Sequence, residues 1–288
     1  MLWVEKTMFE NKEIIRRWGQ ERRLEFIDFR LQWEGRLNRS DLTDFFRISI
    51  PQASLDFSAY QELAPGNMVY DRTLRSYIAT DTFNAIMVNP SPHQYLNELL
   101  WRDSNVLSGS ESFVCTPPPV ETLPHPYRSV GEDALKTLLQ AIRNKMSVEI
   151  NYQSMKQDDP EKRWIYPRTF AFDGFRWHVR CYCFRSGFYK DFVLGRILAI
   201  VNLKPLLESI PEDTEWETFL KVVLAPNPNY NGSRRLNVEK DFDMSNGTAE
   251  VILRKSMLYY FKKRLNLTEP GVNVSEAQQI VMLSADAV

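Results

Sequence analysis

The proline-rich stretch CTPPPVETLPHPYR, residues 115 to 128, separates two kinds of hydrophobic pattern and so excludes a single continuous core. Its prolines remove backbone donors and fix φ, which makes a semi-rigid, extended linker. Before it, apolar residues recur at the three- and four-residue steps of helices. After it, one helical stretch gives way to short β-branched and aromatic runs broken by turns. A chain of 288 residues has material for two or three domains of ordinary size, and no internal repeat at solenoid or propeller periods is visible. The expected organisation is an α+β multidomain protein. It comprises a helical head over 1–90, a short helix (92–102) and the linker within 91–130, a β-rich module over 131–205, and a small α/β domain over 206–288.

In the head, Glu21 to Trp33 places Leu24, Ile27 and Leu31 on one helix face, and Asn38 stands as N-cap of a second helix carrying Leu42, Phe45 and Phe46. After a turn through Arg47 and Ile48, Ser49 and Gln52 match a capping box, with Pro51 in the first turn. On this third helix Ile50, Ala53, Phe57 and Tyr60 are expected to face inward, and Gln52, Ser54, Asp56 and Ser58 to lie on other faces. Pro65-Gly66 ends it, and MVYDRTLRSYIA reads as a β-hairpin around Asp71-Arg72-Thr73. Three helices and such a wing form a winged helix-turn-helix, whose third helix reads base edges in the major groove.

Gln52 carries the amide for a bidentate contact with adenine, and Ser54 and Ser58 have hydroxyls for phosphates. Arg39, Arg72 and Arg75 are placed to grip the backbone, and Ser49 belongs to the same candidate surface. Gln52 has an alternative role, closing the capping box, and the two are compatible. Arg16, Arg17, Arg22 and Arg23 sit at helical spacing from Glu13, Glu21 and Glu25 and read as a solvated helix face.

Beyond the linker, residues 131 to 144 form an amphipathic helix with Leu135, Leu138, Leu139 and Ile142 inward. The runs SVEINYQS, RWIYPRTFAF, FRWHVRCYCF, KDFVLGRI and LAIVNLK have the lengths and turns of a small β-barrel. Alternation along FRWHVRCYCF puts Phe175, Trp177, Val179, Cys181 and Cys183 on an apolar face and Arg176, His178, Arg180, Tyr182 and Phe184 on the other. Residues 160 to 200 hold 8 Lys and Arg against 3 Asp and Glu, so a bound anion is the economical way to balance that second face. Tyr152 and Tyr182 offer surfaces on which a base can stack. The alternative is a polar, solvent-facing side of a half-buried sheet. In the last domain, FLKVVLAP and TAEVILR read as strands and SMLYYFKKRLNL as a helix whose charges are solvated.

Composition narrows the function. A net charge of −1 leaves nucleic-acid binding to local arrangement rather than bulk attraction. Three cysteines (Cys115, Cys181, Cys183) fall short of a disulfide framework or a four-cysteine zinc site, so reduced thiols and no metal are expected. There is no phosphate-binding Gly-rich loop, nucleophile elbow or H-E-x-x-H, which argues against an enzyme and leaves no cofactor to expect. No apolar run is long enough to cross a bilayer and the charged start is unlike a secretory signal, so a cytoplasmic protein without a membrane partner is expected.

The order Tyr152-x-Ser154, Arg163 with Pro167, Trp177-His178-Val179 and Phe192-x-Leu194-x-Arg196-Ile197 resembles the WYL family. This chain has His and Val where the name-giving triplet has Tyr and Leu, and Lys190-Asp191 near the usual arginine. The WHVR variant, with ISIPQASLDFSAYQELAPGNMVYDR upstream, is similar to the BrxR and CapW repressors of BREX and CBASS phage-defence operons. That resemblance implies a winged helix-turn-helix, an Sm/SH3-like WYL barrel and a C-terminal extension domain. It further implies a homodimer on an inverted-repeat operator in double-stranded DNA, released by a nucleotide or nucleic-acid effector. The family's ligand residues carry over to Tyr152, Ser154, Arg163, His178, Arg180 and Arg196. Two other readings compete: a single-strand or RNA-binding module centred on the barrel, and a nucleotide hydrolase, for which no general base or metal set is apparent.

Overall fold

The computed structural model describes residues 19–87, 91–104, 112–124, 126, 128–207, 209–267 and 274–288. Arg16, Arg17 and Glu13 therefore lie outside the described residues. The chain divides into two compact units, the first ending at Pro124 and the second beginning at 125.

The first unit opens with helix α1 over residues 19–34. Strand β1 (Arg36–Leu37), helix α2 (Arg39–Phe46) and helix α3 (Ile50–Leu63) follow. Asn38 caps α2 as expected, but its box closes with Asp41. The Asn38 side chain accepts from the Asp41 amide at 3.2 Å and the Asp41 carboxylate accepts from the Asn38 amide at 2.7 Å. Arg47 ends α2 in the left-handed region, φ 55°, which turns the chain into α3. Ser49 caps α3 through the Gln52 amide at 3.4 Å, with Pro51 in the first turn.

Two expectations for α3 are corrected. Ile50 is 65% exposed, because the first turn projects past the neighbouring helices, and Asp56 is fully buried. Burial of Asp56 is tolerable because Arg23 of α1 meets both its oxygens, at 2.6 and 3.1 Å. Arg23 is thus a structural partner of α3 instead of part of a solvated face. Ala53, Phe57 and Tyr60 do join Phe26, Ile27, Phe29 and Leu42 in the core.

Strands β2 (Met68–Asp71) and β3 (Ser76–Ala79) form the wing, with sheet order β1-β3-β2. Asp71 Oδ1 accepts from the Thr73 and Leu74 amides at 2.7 and 2.8 Å and so shapes the tip. Helix α4 (Pro92–Asp103) packs Tyr95 against Phe29 and Trp33. The beginning of the proline-rich stretch is no free linker. Phe113 and Val114 are buried in the same core, and the Cys115 amide donates to Glu34 at 2.7 Å.

In the second unit, helix α5 (Glu132–Arg143) precedes strands β4 (Met146–Tyr152), β5 (Glu161–Phe172), β6 (Trp177–Cys183), β7 (Phe188–Val193) and β8 (Ile197–Pro205). Leu138 and Ala141 are buried on α5, whereas Leu139 is 47% exposed, contrary to the periodic reading. The five strands make one antiparallel sheet in the order β7-β6-β5-β4-β8. It is not a closed barrel. The edge strands β7 and β8 follow each other through a single 3-10 turn, Leu194–Arg196, but do not pair with one another. Curvature comes from register shifts, one of them at Pro167, where a residue without an N–H interrupts the central strand β5.

The remaining elements are α6 (Thr214–Glu217), β9 (Phe219–Pro226), α7 (Gly232–Asp241), β10 (Ala249–Arg254), α8 (Leu258–Arg264) and β11 (Ile280–Ala287). The sheet β10-β9-β11 buries Leu220, Val222 and Leu224 against Val238 of α7 and Leu258 and Phe261 of α8.

Candidate functional site

The head presents the start of α3 and the wing tip. Gln52 donates to Asp56 Oδ1 at 3.2 Å rather than back to its N-cap, so Arg23, Asp56 and Gln52 form a chain that orients the amide. An amide has two donors and a carbonyl acceptor, and among the described residues only one donor is used. Arg39 donates to Ser54 Oγ and to the Tyr77 hydroxyl, both at 2.9 Å, and Ser58 Oγ donates to the Ser54 carbonyl at 3.1 Å. These three side chains are therefore engaged within the head, and Ser49 is engaged as a cap.

Arg72 and Arg75 stand exposed at the wing tip, and among the described residues neither has a carboxylate partner. Arg47 is in the same position between α2 and α3, also exposed and unpaired among the described residues. In the sequence it stands only as part of a turn. Its signal was a cation at the residue that joins the two helices. Exposed Ile50 and Leu55 complete the outward face of α3 with apolar groups suited to a thymine methyl.

On the second unit, the reading of β6 needs correction on both faces. Val179, Cys181 and Cys183 are core, but Trp177 and Phe175 are about half exposed, since they lie at the strand end beyond the cover of α5. Burial pushes the Cys181 thiol well above its ordinary range, in keeping with an inert packed sulfur.

The middle of the opposite face is buried, not open. His178 is 2% and Arg180 3% exposed. The carboxylates missing from the neighbouring sequence arrive from further along the chain. Arg180 donates to Asp213 at 2.5 and 2.7 Å, to Asp191 at 3.1 Å and to Glu215 at 3.2 Å. Burial opposes its charge, but Asp213 and Asp191 more than compensate and hold the guanidinium protonated. No bound anion is needed to balance it.

His178 Nε2 lies 3.0 Å from Asp173, and its ring packs on Tyr260. Burial works against ionisation of Asp173, yet hydrogen bonds from His178, the Phe175 and Arg176 amides and the Arg176 guanidinium outweigh it and bring the carboxyl down to about 2. An ionised Asp173 can only accept, so Nε2 donates. Nδ1 is buried with no partner among the described residues.

The other carried-over positions separate. The buried Tyr152 accepts from the Val193 amide at 3.3 Å, and Ser154 Oγ accepts from the Lys156 amide at 3.1 Å, both structural contacts. Arg163 pairs with Glu161 at 3.0 Å and with Gln157 at 3.2 Å. Of the six, Arg196 lines an open cleft, of about 480 Å³, which it shares with Arg128, Arg176, Phe172, Phe175 and Trp177. Arg128, Arg176 and the three exposed rings were not singled out from the sequence as ligand residues.

A capped tri-helical head with a wing, followed by a curved antiparallel sheet bearing a basic aromatic cleft and by a third small domain, defines a multidomain transcriptional regulator. Family models match accordingly. Residues 19–100 match the BrxR transcriptional regulator winged helix-turn-helix domain, 133–201 the WYL domain, and 219–288 the BrxR transcriptional regulator C-terminal dimerization domain. The chain is 40% identical to the DNA-binding transcriptional repressor CapW of Escherichia coli (strain KTE188), over 94% of this chain and 91% of that one. It is equally identical to CapW of Stenotrophomonas maltophilia (93% and 90% covered) and of Pseudomonas aeruginosa (94% and 91%). The chain belongs to this CapW family of DNA-binding transcriptional repressors, a family of regulators and not of enzymes.

Proposed function

We propose that this protein is a cytoplasmic, homodimeric repressor of a phage-defence operon, which binds an inverted repeat and is released when a nucleotide or nucleic-acid effector occupies the WYL cleft. The observation that carries the reading is the pairing of two surfaces on one chain. One is a head whose α3 offers an oriented Gln52, together with Arg47, Arg72 and Arg75, which have no carboxylate partner among the described residues. The other is a cleft that combines Arg196, Arg128 and Arg176 with three exposed rings. Guanidinium groups suit phosphate and the rings suit bases. Arg196 lines that cleft, whereas Tyr152, His178 and Arg180 are buried and are not among its lining residues.

Two-fold symmetry fits the last domain. One face of β10-β9-β11 is covered by α7 and α8, and the other carries Phe219, Ile252 and Leu283, which are 41%, 65% and 55% exposed. A second copy laid on that face removes the apolar surface from water and matches the domain's family description. The test is a mobility-shift titration of the full chain on DNA upstream of its own operon, with and without short oligonucleotides. A shifted complex that dissolves on adding oligonucleotide is the expected result. A complex insensitive to every nucleotide overturns the effector half, and no preference for upstream DNA overturns the operator half.

A further inference from the structure

The cleft does not stop at the WYL sheet. A second hollow, of about 300 Å³, adjoins it and shares Arg128, Phe175 and Arg176. Its far wall is Tyr260, Lys263 and Arg264 of α8, which belong to the C-terminal domain. The contact that seats this wall is specific. Gly174 has φ +96°, and a Cβ there would lie 2.6 Å from Arg264 Nη1, so the guanidinium rests directly on the backbone of the β5–β6 turn.

Charge in this hollow is unbalanced. Arg128, Lys263 and Arg264 are exposed and have no carboxylate partner among the described residues. The one carboxylate in the lining, Asp173, is already held by Arg176 at 3.1 Å and His178 at 3.0 Å. With Arg196 in the adjoining hollow, the cations exceed what a single phosphate neutralises. The first hollow carries Phe172 and Trp177, with ring centroids 4.9 Å apart, as a shelf for a base.

We propose that the C-terminal domain supplies part of the site for a nucleic-acid effector, through Lys263 and Arg264 of α8. One phosphate lies near Arg196 and Arg128, a base stacks on the Phe172–Trp177 shelf, and a further phosphate is clamped between Arg176 and the Lys263–Arg264 pair. Effector occupancy then bears directly on the domain that joins two copies. This rests on the effector reading above and extends it to residues that neither the WYL resemblance nor the WYL match includes.

The test measures binding of a fluorescent tetradeoxyadenylate to the full chain by anisotropy, with adenosine monophosphate and tetrariboadenylate as competitors. The tetranucleotide is expected to bind at least 10-fold more tightly than the monophosphate, and the DNA and RNA competitors report which sugar the site takes. Lys263→Ala/Arg264→Ala should weaken it at least 10-fold and lower the slope of log affinity against log salt by about 0.7, the amount one lost single-strand phosphate contact removes. Lys136→Ala on α5 should leave both unchanged, and equal thermal melts show that the double variant folds. If the double variant binds as the parent does while Arg196→Ala does not, the C-terminal clamp is wrong and the effector reading stands. A monophosphate that binds as tightly as the tetranucleotide also overturns the clamp. Failure of the parent to bind either removes the effector reading and this inference together.

Discussion

Arg180 on β6 and Asp213 just before α6 form a two-pronged ion pair, with Nε and Nη2 at 2.5 and 2.7 Å from the two carboxylate oxygens and both side chains at most 4% exposed. The pair ties the WYL sheet to the segment that leads into the C-terminal domain, and Asp191 extends it by accepting from the Tyr260 hydroxyl at 2.9 Å. Removing one partner of a buried pair strands the other charge, at a cost of about 3–5 kcal/mol, whereas replacing both by apolar residues of similar size is far less damaging. Arg180→Met and Asp213→Leu should each lower the urea midpoint strongly, and the double variant should recover only part of the loss, because Asp191 still loses its guanidinium and α6 its cap. If the single variants unfold like the parent, the pair is not a structural tie, and Arg180 returns as a candidate ligand residue.

Asp173 predicts an acid dependence. Its carboxyl ionises at about 2 in the folded chain against an ordinary value of 3.8. Because the folded value is the lower one, its stabilisation is complete above about pH 4 and disappears as the pH falls toward 2. The difference corresponds to about 2 kcal/mol for this largely buried group. Asp173→Asn keeps an oxygen for the Phe175 and Arg176 amides, both at 2.8 Å. It should therefore fold, be less stable near pH 6 by about that amount, and converge with the parent near pH 2. Parallel stability curves for the two proteins across this range would contradict the assignment.

What could be read from the sequence was local. Asn38 and Ser49 were legible as caps because capping uses neighbours within three residues, and the wing was legible from its alternation and its turn at Asp71. The misreadings concern partners distant in sequence. Asp56 appears polar and therefore exposed until Arg23 comes to it across 33 residues. Arg180 appears to need an anion when only residues 160 to 200 are weighed, because Asp213 and Glu215 lie outside that window. Helix α7 was not anticipated, since Val238 is its only buried residue and leaves hardly any periodic stripe. Strand β11 lacked a hairpin partner next to it in sequence: it pairs with β9, more than fifty residues earlier.

For the head, base reading and backbone grip separate in their response to DNA. Gln52→Ala should cost about 1–3 kcal/mol on operator DNA and relax preference at one base position. Loss of its hydrogen bond to Asp56 should matter little to folding, because Arg23 still holds both carboxylate oxygens. Arg47→Ala and Arg72→Ala should each weaken every duplex alike and reduce the salt slope by about 1. Binding curves on operator and scrambled duplexes at several salt concentrations distinguish these outcomes. A uniform loss for Gln52→Ala would mean that α3 does not meet base edges there.

The uncovered face of β10-β9-β11 carries the last prediction. Ile252 stands opposite Lys221 in the register, and Phe219 opposite Arg254, so residues of both strands share the side away from α7 and α8. Lys221 pairs with Glu250 at 3.2 Å on this same face, which lets the charges lie flat around the apolar side chains. Ile252→Glu replaces an apolar side chain of this face by a carboxylate beside Lys221, which Glu250 already engages, and a contact between two copies would have to strip that carboxylate of water at a cost of several kcal/mol. At 65% exposure the substitution leaves the core of the single chain intact. The expected outcome is a shift from dimer to monomer in sedimentation, with an unchanged thermal melt at high dilution and weaker, non-cooperative binding to an inverted repeat. A variant that remains dimeric would move the two-fold contact to another surface.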